Sequence, residues 1–116
     1  MNKERKPIVW VLKEQVMSTP NGPVPMDYTA AMRFGEIQFI TEYDPPAHPG
    51  SSLREQFDRS LEKFVGTFDP QNDFIVPTGS PLAIVSLGRV LGRRFTAPFR
   101  VLVWRREQQR YVEAVV

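Results

Sequence analysis

The chain has no cysteine and a single histidine, His48, among its 116 residues. Disulfides, thiolate metal sites and thiol catalysis are therefore excluded. The first apolar run, Ile8–Leu12, is too short for a signal-peptide core, and no run approaches the length of a membrane span. We therefore expect a cytoplasmic protein with no membrane partner.

Motifs for the common catalytic chemistries are also missing from the sequence. It has no Walker lysine motif, no G-x-G-x-x-G and no G-x-S-x-G. Asp58 and Glu62 lie one helical turn apart, but Arg59 and Lys63 beside them are typical of a solvated helix face rather than a catalytic dyad. We therefore expect no enzyme, and hence no catalytic residues, no cofactor and no bound metal.

Length and composition predict one globular domain over residues 1–116, because 41% of the residues are hydrophobic and 24% are charged. The charge is distributed unevenly. Residues 36–73 hold eight acids and three bases, whereas residues 89–110 hold seven arginines and one acid. This asymmetry is compatible with a self-balanced surface, with self-association of acidic and basic segments, or with a nucleic-acid face.

Hydrophobic patterning predicts an α/β (α+β) fold: a mixed sheet of about five strands, two main helices and one βαβ unit. The expected strands are Ile8–Leu12, Glu36–Thr41, Asp73–Val76, Arg100–Arg106 and Arg110–Val116. The second strand is expected to lie antiparallel to the first. The third and fourth, joined by a helix, are expected to be parallel, and the last two to form a hairpin.

Two long helices and one short helical segment are expected between these strands. Ser52 and Glu55 have the spacing of a capping box for the first long helix, which ends near Gly66. Ser80 and Pro81 begin the second, Leu82–Leu91, as N-cap and first helical residue. Its composition predicts burial of most of its circumference, with Gly88 in close contact with another backbone. A short helical segment is expected over Tyr28–Phe34, capped by Asp27.

The most informative candidate site is the arginine-rich hairpin at the end of the chain. Its candidate binding residues are Arg100, Trp104, Arg105, Arg106, Arg110 and Tyr111. Arginines interleaved with aromatic residues are typical of platforms for single-stranded nucleic acid. Tryptophan and arginine are equally typical of protein interfaces. A third interpretation has no binding role: Trp104 packs in the core and the arginines beside it are solvated.

A weaker candidate is an anion site at Thr78, Gly79 and Ser80, which follow a predicted strand and begin a helix. Ligands bind at such positions in open α/β sheets, and helix amides suit a phosphate. Helix capping by Ser80 explains the same residues without any ligand. A small nucleotide- or phosphate-binding enzyme using this turn is therefore kept as an alternative function.

The sequence resembles the small accessory proteins of tailed bacteriophages. The residues that carry this resemblance are Met26–Met32, Phe34–Glu36, His48–Ser51, Phe68–Pro70, Asp73–Ile75, Thr78–Pro81, Val103–Glu107 and Arg110–Tyr111. The resemblance implies action in the host cytoplasm, through binding of a host or phage macromolecule. We favour a protein partner, including a second copy of the chain, over nucleic acid, because the net charge of +2 is small for a DNA-coating protein.

Overall fold

The structure, a computed structural model, describes residues 5–116. Within them, the strands are β1 (Ile8–Lys13), β2 (Val16–Thr19), β3 (Gly22–Pro25), β4 (Glu36–Thr41), β5 (Phe74–Val76), β6 (Arg100–Arg105) and β7 (Arg110–Val115). The helices are α1 (Ser52–Val65) and α2 (Pro81–Arg94). A single 3-10 turn, Thr29–Ala31, replaces the longer helical segment expected over Tyr28–Phe34. Its N-cap residue is Tyr28 rather than Asp27, although the Asp27 carboxylate accepts the Thr29 amide.

Five strands form the main sheet in the order β4-β1-β5-β6-β7. The first four are parallel, and β7 is antiparallel to β6. The predicted mixed five-stranded sheet with two helices is confirmed, as is the parallel β5-α2-β6 unit. A second crossover, β4-α1-β5, carries the chain past β1 to the other half of the sheet.

The expectation that the second sheet strand is antiparallel to the first is wrong, because β4 pairs in parallel with β1. The chain between them first turns back in an unexpected hairpin, β2–β3, and then runs through the 3-10 turn. This long connection returns the chain to the amino end of β1, where the Glu36 amide bonds to the Pro7 carbonyl. A long crossover of this kind permits parallel pairing, whereas a tight turn does not.

Both helices pack on the same face of the sheet. Trp10, Leu12 and Ile75 contribute to the core on that face, together with the buried sides of α1 and α2. On the opposite face, Val9 and Val11 pack against Tyr28 and Ala31 of the segment around the 3-10 turn. The central strand β1 is therefore covered on both sides, as its continuous apolar run predicts.

The N-cap residues of the two helices can be compared with those predicted from the sequence. The Ser80 hydroxyl accepts the Ala83 amide and Pro81 is the first helical residue, so this predicted cap is confirmed. For α1 the cap was expected one residue too late. The hydroxyl that accepts the Arg54 amide belongs to Ser51, whose backbone is extended, and Ser52 is already helical.

Helix α2 differs most from its prediction. It continues through Gly92 to Arg94, and only Ala83, Leu87 and Leu91 are buried. Val85 is 69% exposed, and a Cβ at Gly88 would meet nothing within 4 Å, so neither the expected burial nor the close backbone contact is found. The reason is that α2 lies on the outside of a two-layer fold, where only the face toward the sheet can be covered.

One buried carboxylate joins distant parts of the chain at the amino end of the sheet. The Asp73 side chain is fully buried and accepts hydrogen bonds from two guanidinium nitrogens of Arg5, at 2.9 and 2.7 Å. It also accepts the Trp10 indole N–H at 3.0 Å and the amides of Ile8 and Asp69, both at 3.0 Å. Five donors thus satisfy a charge that would otherwise be costly to bury.

Burial alone would raise the pKa of Asp73, but the hydrogen bonds from Arg5, the Asp69 amide, Trp10 and the Ile8 amide more than offset it. The pKa of this carboxyl is therefore below its ordinary value. A folded-state pKa below the unfolded one stabilises the fold above the unfolded value of about 3.9, and this stabilisation is lost as the pH falls through the folded-state pKa.

Replacing Asp73 by Asn should lower the free energy of unfolding at neutral pH by about 2–4 kcal/mol, because the buried charge partner of Arg5 is removed. The loss should shrink at acidic pH, below the unfolded-state value of about 3.9, as the wild-type carboxyl itself becomes protonated. Urea denaturation at both pH values measures it. Asp58→Asn, which removes a surface partner of Arg54, is the matched control and should cost less than about 0.5 kcal/mol. Equal costs for the two variants at neutral pH would contradict this account.

Candidate functional site

All the candidate residues except Arg100 lie near one end of the sheet, where the parallel strands finish. Strands β4, β1, β5 and β6 run parallel, so their carboxyl ends lie at a common edge, where antiparallel β7 begins. The connection from β1 leads to β4 on one side, whereas the connection from the neighbouring strand β5 leads to β6 on the other side. The gap between the ends of β1 and β5 is the switch point at which sheets of this order bind ligands.

The predicted anion site, Thr78-Gly79-Ser80, lies at this switch point. Gly79 has a φ of +108°, and a Cβ there would stand 3.1 Å from Asp44 Oδ1, so glycine fits both the backbone and the space. The Ser80 amide donates to Asp44 Oδ1 at 2.8 Å. The other carboxylate oxygen of Asp44 lies 3.9 Å from the Lys13 ammonium. An internal carboxylate thus occupies the amino end of α2.

The remaining polar group of this turn is also in use within the chain. The Thr78 hydroxyl donates to the Lys13 carbonyl and accepts the Lys13 amide. It therefore ties the end of β1 to the turn after β5, in place of a backbone rung. An external anion would have to displace Asp44 to reach the Ser80 amide, so the anion site stays a prediction with an internal competitor.

The arginine-rich hairpin is formed by β6 and β7. Trp104 and Tyr111 lie directly opposite each other, with ring centroids 5.0 Å apart and edge to face. Trp104 is 43% exposed, whereas Tyr111 is buried beneath it. Burial raises the pKa of Tyr111, with smaller contributions from Tyr28 and Asp27, so its phenol stays neutral at physiological pH. The pair presents one indole surface to solvent.

The arginines of the hairpin do not form one patch. Arg105, Arg106 and Arg110 lie with Trp104 at the turn and are exposed. Arg100 lies at the other end of β6, where it donates to the Gln71 carbonyl at 2.7 Å and stacks 4.2 Å from the centroid of the Phe74 ring. The structure thus brings together four of the six predicted residues, and Arg100 and Tyr111 serve the fold.

Within residues 5–116, the ion pairs are Arg5–Asp73, Lys13–Asp44 and Arg54–Asp58. Arg105, Arg106 and Arg110 therefore have no acidic partner in this part of the chain. Arg110 bonds instead to the side-chain oxygen of Gln108, at 2.9 Å. Arg105 and Arg110 lie opposite each other and project from the other face of the sheet than Trp104. Three exposed cations at the same end of the hairpin as a half-exposed indole are suited to a partner that supplies its own carboxylates or phosphates.

The β2–β3 hairpin is a surface element that sequence reasoning missed. Its strands pair only with each other, and Val16, Met17 and Val24 are exposed apolar side chains. The hairpin follows β1 and so begins at the carboxyl ends of the parallel strands, where Trp104 also lies. Residues 16–25 contain no charge, and valines on both sides of the Asn21-Gly22 turn were the available signal for a hairpin.

The comparisons with known proteins add one finding to this geometry. A family model described as "Phage Pam3 gp32-like protein" matches residues 7–116, so the chain belongs to that family of bacteriophage proteins. The resemblance to phage proteins is thereby confirmed. No curated protein and no solved structure matches the chain significantly. Within residues 5–116, no helix is long and apolar enough to cross a membrane.

Replacing Ser80 by Ala should lower the free energy of unfolding by roughly 1 kcal/mol, because the Ala83 amide loses its cap. Ser86→Ala is the matched control, since its hydroxyl only returns to the Leu82 carbonyl, and it should cost less than about 0.5 kcal/mol. Inorganic phosphate should leave the melting temperature of the wild type unchanged. A phosphate-dependent rise that Ser80→Ala abolishes would instead indicate an anion site at the turn.

Proposed function

We propose that this phage protein is a non-enzymatic accessory protein that binds a protein partner in the host cytoplasm. The binding surface is the hairpin tip, defined as Trp104, Arg105, Arg106 and Arg110. The observation that carries the proposal is the half-exposed Trp104 held on the buried Tyr111, at the same end of the hairpin as three exposed arginines without internal acidic partners. A rigid aromatic anchor with flanking arginines is the composition of interface hot spots.

A single-stranded nucleic-acid partner is less well supported by the same residues. Such partners are bound by successive exposed rings on which bases stack, together with a cationic groove. At the hairpin tip one ring is exposed, because Tyr111 lies beneath Trp104, and Arg100 is engaged at the far end of the strand. The remaining arginines suit specific carboxylates of a protein partner as well as they suit phosphates.

The function as an enzyme acting through the Thr78-Gly79-Ser80 turn is supported less still. The amide of Ser80 and the hydroxyl of Thr78 are both bonded within the chain, to Asp44 and Lys13. A bound nucleotide would first have to break these contacts. We therefore favour binding, without catalysis, as the activity of this protein.

The partner is best sought with tagged wild-type protein in lysate of infected cells, followed by mass spectrometry. Trp104→Ala and the double variant Arg105→Ala, Arg106→Ala should each lose the captured protein, with an affinity loss of at least about tenfold once it is purified. Arg59→Ala, an exposed arginine on α1, is the matched control and should retain it. A partner retained equally by all three variants would contradict the proposed surface.

Fluorescence anisotropy with labelled oligonucleotides separates the two kinds of partner. We expect weak binding without a strong salt dependence. Neutralisation of three to four phosphates would instead give a log–log slope of roughly −2 to −3, at about −0.7 for each phosphate. Submicromolar binding with that slope, lost in the double arginine variant, would overturn the protein partner in favour of single-stranded nucleic acid.

A further inference from the structure

The edges of the two sheets differ in how they are protected against further pairing. Strand β7 forms one edge of the main sheet, and its Tyr111 carbonyl is already bonded to the Arg33 guanidinium at 3.3 Å. In the separate hairpin, β3 carries Pro23 and Pro25, which have no N–H to offer another strand. Covering groups and proline are common means of blocking an edge.

The opposite edge of the main sheet, β4, has neither kind of protection. Its sequence, EIQFIT, contains no proline and no lysine. The Glu36 amide bonds to Pro7 on the β1 side, so by alternation the N–H and C=O groups of Ile37 and Phe39 point outward. No other segment within residues 5–116 bonds to these outward groups. Phe39 is also 41% exposed, although its ring rests against Tyr28.

A groove of about 970 Å³ runs beside this edge, between β4 and α1. Its floor includes Trp10, Ile40 and Phe64. On the helix side it is lined by Gln56, Ser60, Lys63 and Thr67, which recur at helical spacing and carry one charge among them. In contrast, the solvent face of α1 carries Glu55, Asp58, Arg59 and Glu62. The charged residues Lys13, Glu14 and Glu42 also line the groove. The helix flank that faces the open strand is nevertheless poor in charge, which is typical of an interface.

We propose that β4 is the seam of a homodimer, in which the edges of two copies pair antiparallel about a two-fold axis at Gln38. This register places Ile37 opposite Phe39 of the second copy and Gln38 opposite its own counterpart. The outward groups of Ile37 and Phe39 then bond to each other across the seam. The five strands of each copy continue into a ten-stranded sheet, and the α1 flanks meet above it.

The charges around β4 favour this register over its neighbour. A two-fold axis at Phe39 would place Glu36 directly opposite Glu42 of the second copy, twice, and like charges in that position are destabilising. With the axis at Gln38, Glu36 lies opposite Ile40, and no like charges face each other. In this register the strand can pair with its own copy without opposing like charges, which is why we assign its occupant as a second copy rather than a foreign strand.

The dimensions of the seam indicate a dimer of moderate affinity. A six-residue strand is about 20 Å long and a 14-residue helix about 21 Å, so the contact is short and two layers deep. Interfaces at this small end of the range are usually reversible. We therefore expect dissociation in the micromolar range, independent of the hairpin tip on the far side of the sheet.

Charge exchange at the axis tests the seam directly. Gln38→Glu and Gln38→Lys each place like charges opposite each other in the homodimer and should weaken it about fivefold. An equimolar mixture of the two variants should restore dimerisation, because opposite charges then meet at the axis. Gln38 is exposed and its side chain bonds only to that of exposed Glu36, so both variants should change the melting temperature little. Sedimentation across a concentration series measures all three samples.

A second pair of variants tests the backbone bonds. Phe39→Pro removes the outward N–H that the seam requires, without removing a bond to β1, and should weaken the dimer at least tenfold. Phe39→Ala removes the same ring but keeps the N–H, and should weaken it less. A monomer at the highest soluble concentration, or a dimer indifferent to the Gln38 and Phe39 variants, would overturn the proposal. Trp104→Ala should leave the dimer unchanged, which separates this result from that for the hairpin tip.

Discussion

The fold depends on the buried carboxylate of Asp73. This one group holds Arg5, the starts of β1 and β5, and the loop after α1, through donors that lie up to 68 residues away in the sequence. A buried charge needs such a full set of partners, because removing one donor leaves the desolvation cost of the carboxylate uncompensated. The amino end of the sheet is therefore committed to structure.

The carboxyl end of the sheet is arranged differently. At the switch point between β1 and β5, Asp44 accepts the Ser80 amide at the start of α2, and Thr78 and Lys13 bond to each other. The groups that remain available are the indole of Trp104, the arginines beside it and the uncharged β2–β3 hairpin. Internal bonds fill the usual ligand position, whereas exposed side chains lie at its margin. This distribution supports surface binding rather than catalysis. Membership of the Pam3 gp32-like family establishes that the chain is a bacteriophage protein.

The parts of the fold that depend on neighbouring residues could be predicted from the sequence. The Ser80 cap and the β6–β7 hairpin each follow from a pattern a few residues long. The parallel pairing of β4 with β1 could not, because it depends on the path of the whole connection between them. The partners of Asp73 and Ser80 could not either, since Arg5 and Asp44 are distant in sequence and no local rule joins them. For the same reason, the sequence could not tell which arginines of the hairpin are free and which are engaged.

Native-state amide hydrogen exchange tests this division of the molecule most directly. The account predicts the slowest exchange at the Ile8 and Asp69 amides, which bond to Asp73, and in the β1 and β5 amides next to them. The β2–β3 hairpin and the turn after Trp104 should exchange fastest, because few buried contacts hold them. If the Ile8 and Asp69 amides exchanged as fast as those of the β2–β3 hairpin and of the turn after Trp104, the buried carboxylate would not be the constraint on which the fold depends.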